Sequence, residues 1–373
     1  MKIEPKITPI YQTSVFKFDD LNELEQYFGE PGSRYLYSRN GNPNSDELAE
    51  AVNKLEGGAG AVATGSGMAA IFAAILACCQ AGDHVLCAAD IYGGSSSLLN
   101  TELSRLGITV TYVPFEQLYE LTDFVQPNTK LLLAETISNP LLRVADLRRL
   151  ATECHRHGLK LVVDNTFASP VITRPLELGA DISLHSVTKY ISGHSDVTAG
   201  VAVAADEQTA ARLKQIGVLY GLTLSPMESW LAVRGLKTLR LRMREHSHNA
   251  LAVAEFLAQH PKVRQVYYPG LLDHPQHMLA MEQGAGLFGG MMSILLEDDA
   301  EVVNEFMRRS QRFPFAPSLA GVDSSLSYPL GTSHRYLTPE QQQGLGITVG
   351  LVRLSVGIEP IVDLLADLEH ALD

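Results

Sequence analysis

Short apolar segments alternate with helical ones over the first half of the chain. Five segments between residues 59 and 166 have the length and composition of strands: AGAVAT, DHVLCAA, ITVTYVPF, KLLLAET and LKLVVDNT. Four segments with helical periodicity flank or separate them: SDELAEAVNKLEG, GMAAIFAAILACC, SSSLLNTELSRLG and ADLRRLATECHRHG. Strands that alternate with helices predict an α/β fold with a parallel sheet covered on both faces.

The last third of the chain has a different pattern. A long helical stretch over residues 225–261, with a break predicted near Arg234–Gly235, precedes three strand-like segments, KVRQVYYPG, GGMMSILLE and GLVRLSVG. With a helix over DAEVVNEFMRRS they predict a small α/β domain with an antiparallel sheet. Because single cores stop growing at about 250–300 residues, we predict an N-terminal arm over 1–45, a main domain over 46–235 and a C-terminal domain over 236–373.

Two helix starts carry signals in the sequence. Ser45 or Asp46 is predicted to cap the helix that Gly57 ends. In GSGMAAI a glycine-rich turn runs into a helix, so the backbone N–H groups of Gly67 and Met68 lie at its positive end and suit a phosphate. The alternative is that these glycines only close a tight turn.

Polar side chains follow several of the predicted strands. A parallel sheet binds ligands at the carboxyl ends of its strands, where the chain places Tyr92, Glu135, Asn139, Asp164, Asn165 and Lys189. Each alone has a structural explanation as a turn, a cap or a packing residue. Their recurrence at equivalent positions predicts a ligand site at this edge.

Lys189 suggests the chemistry of that site. It follows a short strand and is flanked by Ser186 and Thr188. A lysine there could hold a carbonyl compound as a Schiff base while the hydroxyls donate to a phosphate, and pyridoxal 5′-phosphate (PLP) needs both. A buried Asp164 would keep the pyridine nitrogen protonated. Tyr92 could stack on the ring and move protons near the substrate.

Composition and charge narrow the class of partner. The chain has 46% hydrophobic residues and a net charge of −13 with no compensating basic block, which predicts a globular protein that binds neither nucleic acid nor membranes. The N-terminus has no apolar signal core, so we expect a cytoplasmic protein. The four cysteines lack metal-ligand spacing. The segment 271–287 also fits no ligand template, so it is predicted to be a solvated surface and no metal is expected.

The arm contributes a further candidate. YLYSRNGNPN puts Tyr37 and Arg39 beside a turn, where a hydroxyl and a guanidinium could grip a phosphate. The alternative is a surface arginine in a polar loop. The low periodicity of the arm indicates that it lies on something else, such as another subunit.

Seven motifs in the chain occur together and in a fixed order. They are YSRNGNPN, GSGMAAI, DIYGG, ETISNP, VVDNTFASP, HSVTKYISGHSD and LVRLSVGIE. This series resembles the PLP enzymes of cysteine and methionine metabolism over roughly residues 8 to 365. The resemblance implies a PLP-dependent transferase of fold type I, with a large, mainly parallel-sheet domain and a smaller C-terminal α/β domain. It also implies a homotetramer of dimers with shared active sites.

The resemblance also implies roles for single residues. Lys189 would carry PLP, Asp164 would pair with its ring nitrogen, Tyr92 would stack on the ring, and Asn139 would touch the 3′-oxygen. The phosphate would be held by Gly67, Met68, Ser186 and Thr188, with Tyr37 and Arg39 reaching in from a neighbouring subunit. Arg353 would bind the substrate α-carboxylate beside Ser318, with Tyr37 near the substrate.

The branch of the family is less sharply defined by the sequence. Gly93-Gly94-Ser95 after Tyr92 resembles the branch that acts at the γ-carbon, the cystathionine γ-synthases, γ-lyases and sulfhydrylases, whereas methionine γ-lyases typically have cysteine in place of Gly94. Ser97 and Pro317 stand where cystathionine enzymes often have an arginine and a glutamate. We therefore expect elimination or replacement at the γ-carbon of a small sulfur amino acid or an O-acylhomoserine. O-acetylhomoserine sulfhydrylase, methionine γ-lyase and cystathionine β-lyase activities are alternatives.

Two interpretations lie outside this family. A different fold-type I PLP enzyme, such as a transaminase or a sugar dehydratase, would share Lys189 and Asp164 but not the paired YSR and SVTKYISGHSD motifs. A binding protein without catalysis would not need Lys189, Asp164 and Arg353 together.

Overall fold

A computed structural model describes residues 4–30, 32–335 and 337–373. Residues 1–3 and 31 of the predicted arm lie outside the described residues. The strands of the described chain are β1 (Gly60–Thr64), β2 (His84–Ala88), β3 (Thr109–Val113), β4 (Thr129–Glu135), β5 (Lys160–Asp164), β6 (Ile182–Ser186), β7 (Gly200–Ala204), β8 (Gln265–Tyr267), β9 (Met291–Leu295), β10 (Ser325–Ser327) and β11 (Leu351–Ser355). They form two separate sheets.

The larger sheet has the order β1-β7-β6-β5-β4-β2-β3 within the described residues. The pairs β6–β5, β5–β4, β4–β2 and β2–β3 are parallel, which confirms the parallel core expected from the pattern. Strand β7 is antiparallel to both β1 and β6. The chain from Ser186 to Gly200 forms turns and no helix, so it returns antiparallel instead of crossing over.

Helices cover this sheet and lead into the second one. The α-helices of the described chain are Leu21–Gly29, Pro43–Glu56, Gly67–Cys78, Gly93–Ser97, Leu147–Arg156, Ser169–Ile172, Glu207–Leu219, Pro226–Leu236, Leu239–Gln259, His277–Gln283, Ala300–Arg309, Pro339–Gly344 and Ile361–Leu372. A π-helix spans Leu98–Leu103, and short 3-10 helices span Phe115–Gln117, Pro175–Leu178 and Pro329–Gly331. None of the described helices is long and apolar enough to cross a bilayer.

Two helix boundaries differ from the sequence prediction. The helix predicted to start at Ser45 or Asp46 starts at Pro43, and its cap is Asn42, whose Oδ1 accepts from the Asn44 N–H at 3.0 Å. Proline at the first helical position needs no N–H partner, which favours this earlier start. The long C-terminal stretch breaks at Lys237–Thr238, three residues beyond the predicted position.

The smaller sheet has the order β10-β11-β9-β8 and is antiparallel throughout. Its central strand β11 is fully buried and carries Arg353. The larger sheet ends before residue 235 and the smaller one begins after it. One buried apolar cluster nevertheless runs from Leu48 to Leu372 across both. The division at residue 235 therefore stays a prediction.

Candidate active site

A cavity of about 570 Å³ opens where the carboxyl ends of β4, β5 and β6 meet residues of the C-terminal region. This volume lies within the usual range for small-molecule sites, about 300–1,000 Å³. Eleven residues predicted from the sequence line it: Gly67, Met68, Tyr92, Glu135, Asn139, Asp164, Ser186, Thr188, Lys189, Ser318 and Arg353. The topology thus brings together positions almost 290 residues apart in the chain.

Lys189 places its amine in this cavity. It sits in the turns after β6, where its own N–H donates to the Ser186 carbonyl at 3.1 Å. Its Nζ donates to Ser318 Oγ at 3.3 Å. Burial, reinforced by the nearby Arg353 charge, lowers the pKa of Lys189 to about 8. A larger fraction of this amine is therefore neutral and nucleophilic at neutral pH than for an ordinary lysine.

Arg353 provides a buried cation beside the lysine. Its Nη1 donates to Asn139 Oδ1 at 2.9 Å, and its Nη2 donates to the Ser318 carbonyl at 3.5 Å. Both acceptors are neutral, so the guanidinium keeps its positive charge uncompensated by them and can receive a carboxylate. Asn139 therefore orients Arg353, a contact that the sequence did not predict. Its predicted contact with a ring oxygen stays a prediction.

Asp164 lies at the end of β5 and is enclosed except for the face that it turns to the cavity. Its Oδ1 accepts from the Thr166 N–H at 3.0 Å. Burial raises the pKa of this carboxyl. A cation placed against it from the cavity would favour the ionised form, so the site suits a protonated ring nitrogen.

The sequence placed Glu135 at a strand end without giving it a role. It pairs with Asp164 across β4 and β5, and its Oε1 accepts from the Tyr92 N–H at 2.8 Å. Burial, followed by the Asp164 charge, raises the pKa of Glu135 well above its ordinary value. A proton on Glu135 leaves Asp164 as the single anion of this pair. Its signals in the sequence were the strand-end position and its place at the start of the motif ETISNP.

Small residues and hydroxyls form a cradle beside the lysine. Gly67 begins a helix whose cap is Ser66, and a Cβ at Gly67 would come within 2.8 Å of the Ser186 side chain. This close approach leaves backbone N–H groups and the Ser186 hydroxyl facing one space, which fits a phosphate. Thr188 lines the same cavity, but its hydroxyl exchanges hydrogen bonds with the Ala199 backbone at 3.0 and 3.2 Å. Thr188 thus also braces the turn.

Tyr92 stands at the mouth of the cavity with about 41% of its surface exposed. The following two glycines allow close packing around it. A Cβ at Gly94 would lie 2.4 Å from the Tyr92 ring, and a Cβ at Gly93 would lie 1.9 Å from the Ser333 carbonyl oxygen. The turn at residues 331–335 can therefore reach the cavity only because residue 93 has no side chain.

Substitution Gly93→Ala is expected to displace the 331–335 turn, because the clash is with backbone that cannot rotate away. We expect a loss of about 1–3 kcal/mol in the free energy of unfolding, typical of overpacking, together with a raised KM. Denaturant unfolding and steady-state kinetics check this. Gly344→Ala is the control, since nothing lies within 4 Å of a Cβ there. Equal behaviour of the two variants would contradict the packing argument.

Tyr37 and Arg39 do not line the cavity of their own chain. Arg39 Nη1 instead donates to the Val218 carbonyl at 3.2 Å, in a second, smaller cavity of about 70 Å³. Tyr37 is about 43% exposed. Their predicted roles therefore depend on a second subunit and stay predictions.

The prediction of a solvated 271–287 segment is wrong at His277, which is buried and forms a hydrogen bond with the Pro269 carbonyl through Nδ1 at 2.9 Å.

Several cavity residues were not predicted. Ser66, Thr166, Phe167, Thr198, Ser333 and Arg335 also face this space. Thr166 lies two positions after Asp164, and its Oγ1 accepts from the Ser186 N–H at 2.8 Å, which ties two strand ends together. The residues of the 331–335 turn carry no local motif. Only the long-range packing against Gly93 reveals them.

An activated lysine, an enclosed aspartate, a phosphate cradle and this α/β fold together define a fold-type I PLP enzyme. Comparison with known proteins makes the assignment specific. Residues 2–373 match the family described as Cys/Met metabolism PLP-dependent enzymes, and the chain belongs to this family. The cofactor of the family is PLP, and the members of the family are PLP-dependent C–S lyases and synthases.

Relatives of several activities resemble the chain closely. The L-methionine gamma-lyase of Porphyromonas gingivalis is 42% identical over 98% of this chain and 92% of its own length. The cystathionine gamma-lyase of Bacillus subtilis is 43% identical over 98% of this chain and 93% of its own.

Solved structures of enzymes with related activities also resemble the chain. The cystathionine gamma synthase of Xanthomonas oryzae pv. oryzae superimposes with a TM-score of 0.91 at 43% identity, covering 98% of this chain and 92% of that one. A putative O-acetylhomoserine (thiol)-lyase of Campylobacter jejuni, which carries a pyridoxyl-lysine phosphate, gives a TM-score of 0.94 at 30% identity, covering 98% and 94%.

The lowered pKa of Lys189 predicts how the PLP-free protein takes up its cofactor. Only the neutral amine attacks a carbonyl, so the rate of PLP capture should rise with pH and level off above about 8. With an ordinary lysine, whose pKa is 10.5, the rate would keep rising up to that pH. Stopped-flow absorbance at a series of pH values measures this rate. A rate that does not level off before the ordinary lysine pKa would contradict the prediction.

Proposed function

We propose that this chain catalyses PLP-dependent elimination or replacement at the γ-carbon of a small sulfur amino acid or an O-acylhomoserine. The observation that carries the proposal is the lining of the cavity. The buried Arg353 and the exposed Arg335 both line it, together with Lys189, Tyr92 and Ser333. A substrate held by its α-carboxylate at the deep end therefore has room for a long γ-substituent.

Arg353 receives the α-carboxylate in this proposal, because it is a buried cation held by two neutral acceptors. Bound PLP withdraws electron density from the substrate carbons. Asp164 would keep its negative charge and so keep the ring nitrogen of the bound cofactor protonated. Gly67, Met68 and Ser186 would hold the phosphate, and Thr188 would donate to it by giving up its O–H bond to the Ala199 carbonyl.

Lys189 moves the protons. Loss of a γ-substituent needs a proton taken from the α-carbon and a further proton shift at the β-carbon. A side chain with a pKa of about 8 can both accept and return a proton near neutral pH. Its Nζ is steered by Ser318 Oγ. Tyr92, at the mouth of the cavity, would assist at the leaving group.

Gly94 supports the assignment to the branch of the family that acts at the γ-carbon. A side chain at this position would collide with the Tyr92 ring, so Tyr92 holds its present position only with glycine there. Methionine γ-lyases typically have a cysteine at the position of Gly94. The contact therefore favours a cystathionine or acylhomoserine substrate over methionine.

A survey of products from the PLP-loaded protein tests this proposal. The substrates are cystathionine, methionine, homocysteine, cysteine and O-acetyl- and O-succinylhomoserine, the last two with and without cysteine or sulfide. Appearance of 2-oxobutyrate or a thiol-dependent thioether would support γ chemistry. Pyruvate and homocysteine from cystathionine would instead indicate β-elimination, and no turnover of any of them would contradict the substrate class.

We further propose a homotetramer built from dimers with shared active sites. The position of Tyr37 and Arg39 outside their own cavity supports it. Mixing the variants Lys189→Ala and Arg39→Ala under subunit exchange should restore part of the activity that each lacks, while light scattering measures the mass.

A cytoplasmic location is supported by the four free cysteines, which suit a reducing compartment. Cell fractionation tests it.

A further inference from the structure

Arg335 lies at the outer end of the active-site cavity. It faces the same space as Arg353 and Lys189, but it is exposed. Arg353 donates to Asn139 and Ser318, whereas no hydrogen bond or ion pair engages the Arg335 guanidinium among the described residues. The cavity therefore presents one guanidinium at its deep end and a second, unpaired one at its rim.

The backbone beneath Arg335 is held firmly in place. Its N–H donates to the Thr332 carbonyl at 3.4 Å, and its neighbour His334 is buried. His334 N–H donates to the Pro329 carbonyl at 3.0 Å, and the His334 carbonyl accepts from Gln342 Nε2 at 3.0 Å. The close approach of Ser333 to Gly93 fixes the other side of the turn. The rim guanidinium thus projects from a turn that backbone hydrogen bonds and the contact with Gly93 hold together.

The charges around Arg335 restrict what it can bind. Among the described residues the acids that line the cavity are Glu135 and Asp164, and both lie at the strand ends. Position 317, near the rim, is proline, and Ser97 does not line the cavity. A distal ammonium would meet the Arg335 cation with no carboxylate to balance it, whereas a distal carboxylate would meet a matched donor.

We propose that Arg335 is a specificity-determining residue that binds a carboxylate at the far end of the γ-substituent. This inference rests on the proposed function and narrows it. The substrate class is a homoserine ester whose acyl group ends in a free carboxylate, such as a succinyl ester. In the replacement, the γ-carbon–oxygen bond breaks and the dicarboxylate leaves with the electron pair. The sulfur of a thiol forms the new bond to the γ-carbon and releases its proton.

Matched substrates isolate this contact. O-succinylhomoserine and O-butanoylhomoserine have acyl chains of equal length and differ in a terminal carboxylate against a methyl group. With cysteine as the thiol, Arg335→Met should lower kcat/KM for the succinyl ester by about 10-fold or more, the usual effect of losing a charged hydrogen bond, and leave the butanoyl ester unchanged. Arg335→Lys should retain part of the preference.

Arg308→Met is the control, because Arg308 is exposed on the helix Ala300–Arg309 and pairs with Glu301 away from the cavity. It should leave kcat/KM unchanged for both esters. An equal loss on both esters in Arg335→Met would show a structural role only and would overturn the proposal. No loss on either ester would also overturn it.

A binding measurement separates this inference from the proposed function. The amino acids 2-aminononanedioate and 2-aminononanoate have equal chains and lack a leaving group. Calorimetry on the PLP-loaded enzyme should show tighter binding of the dioate, and Arg335→Met should abolish that difference. If this holds while no homoserine ester is turned over, the proposed reaction fails and the carboxylate site stands. If the preference is absent or survives in Arg335→Met, the carboxylate site is refuted.

Discussion

Lys189→Ala is expected to lose turnover by about 10⁴-fold, the upper end of what a positioned acid–base group contributes. Alanine removes the group that we propose both as the nucleophile for the cofactor and as the base for substrate protons. Among the described side chains, Lys189 Nζ hydrogen-bonds Ser318 Oγ and forms no ion pair, so its removal breaks no ion pair. The long-wavelength absorbance of bound cofactor should disappear with the activity.

Activity and absorbance spectra of the purified variant measure both effects. Lys54→Ala is the control, because Lys54 is exposed and pairs with Glu50 on the surface of the helix Pro43–Glu56. It should keep full activity and cofactor content. Retention of the absorbance band and of turnover in Lys189→Ala would remove this lysine from its proposed role.

The sheet was the most predictable part of the fold. Continuous apolar runs bounded by polar turns are typical of strands buried on both faces, and β2, β4 and β5 have this form. The antiparallel direction of β7 depends on the path of the turns after Ser186. Periodicity reports which residues are buried and does not report the direction of a strand.

Some site residues could likewise be predicted from the sequence, whereas their hydrogen-bond partners could not. Asp164, Ser186 and Lys189 lie on neighbouring strand ends, so the parallel topology brings them together once the strands are identified. Hydrogen-bond partners are set by geometry beyond the local motif. The contact of Asn139 with Arg353 joins residues 214 positions apart, and no spacing rule connects them.

The rim of the cavity was the least predictable part. The turn at residues 331–335 reaches the site by packing against Gly93, about 240 positions earlier in the chain. Sequence showed that Gly93-Gly94 follows Tyr92, but the reason for glycine is a backbone carbonyl from the C-terminal region. Local rules assign such glycines to turns. Here the missing side chain makes room for another segment.

Asp164→Asn is expected to lower kcat by about 10³-fold, the scale seen when one preorganised electrostatic group is removed. Asparagine keeps the shape of aspartate and can still accept the Thr166 N–H bond through its oxygen. It cannot carry the negative charge that keeps a ring nitrogen protonated. KM should change little, since the proposed carboxylate site at Arg353 is left intact, and cofactor affinity should fall. Steady-state kinetics and PLP content measure these quantities.

Stability separates this effect from unfolding. Burial raises the pKa of Asp164 in the PLP-free fold, so the folded state binds a proton more tightly than the unfolded chain does. Stability from this group is then present at low pH and is lost as pH rises toward the raised folded pKa. The PLP-free Asp164→Asn protein should therefore be as stable as the parent at neutral pH or more so. Lower stability at that pH, or a kcat within about 10-fold of the parent, would mean that Asp164 supports the fold and not the chemistry.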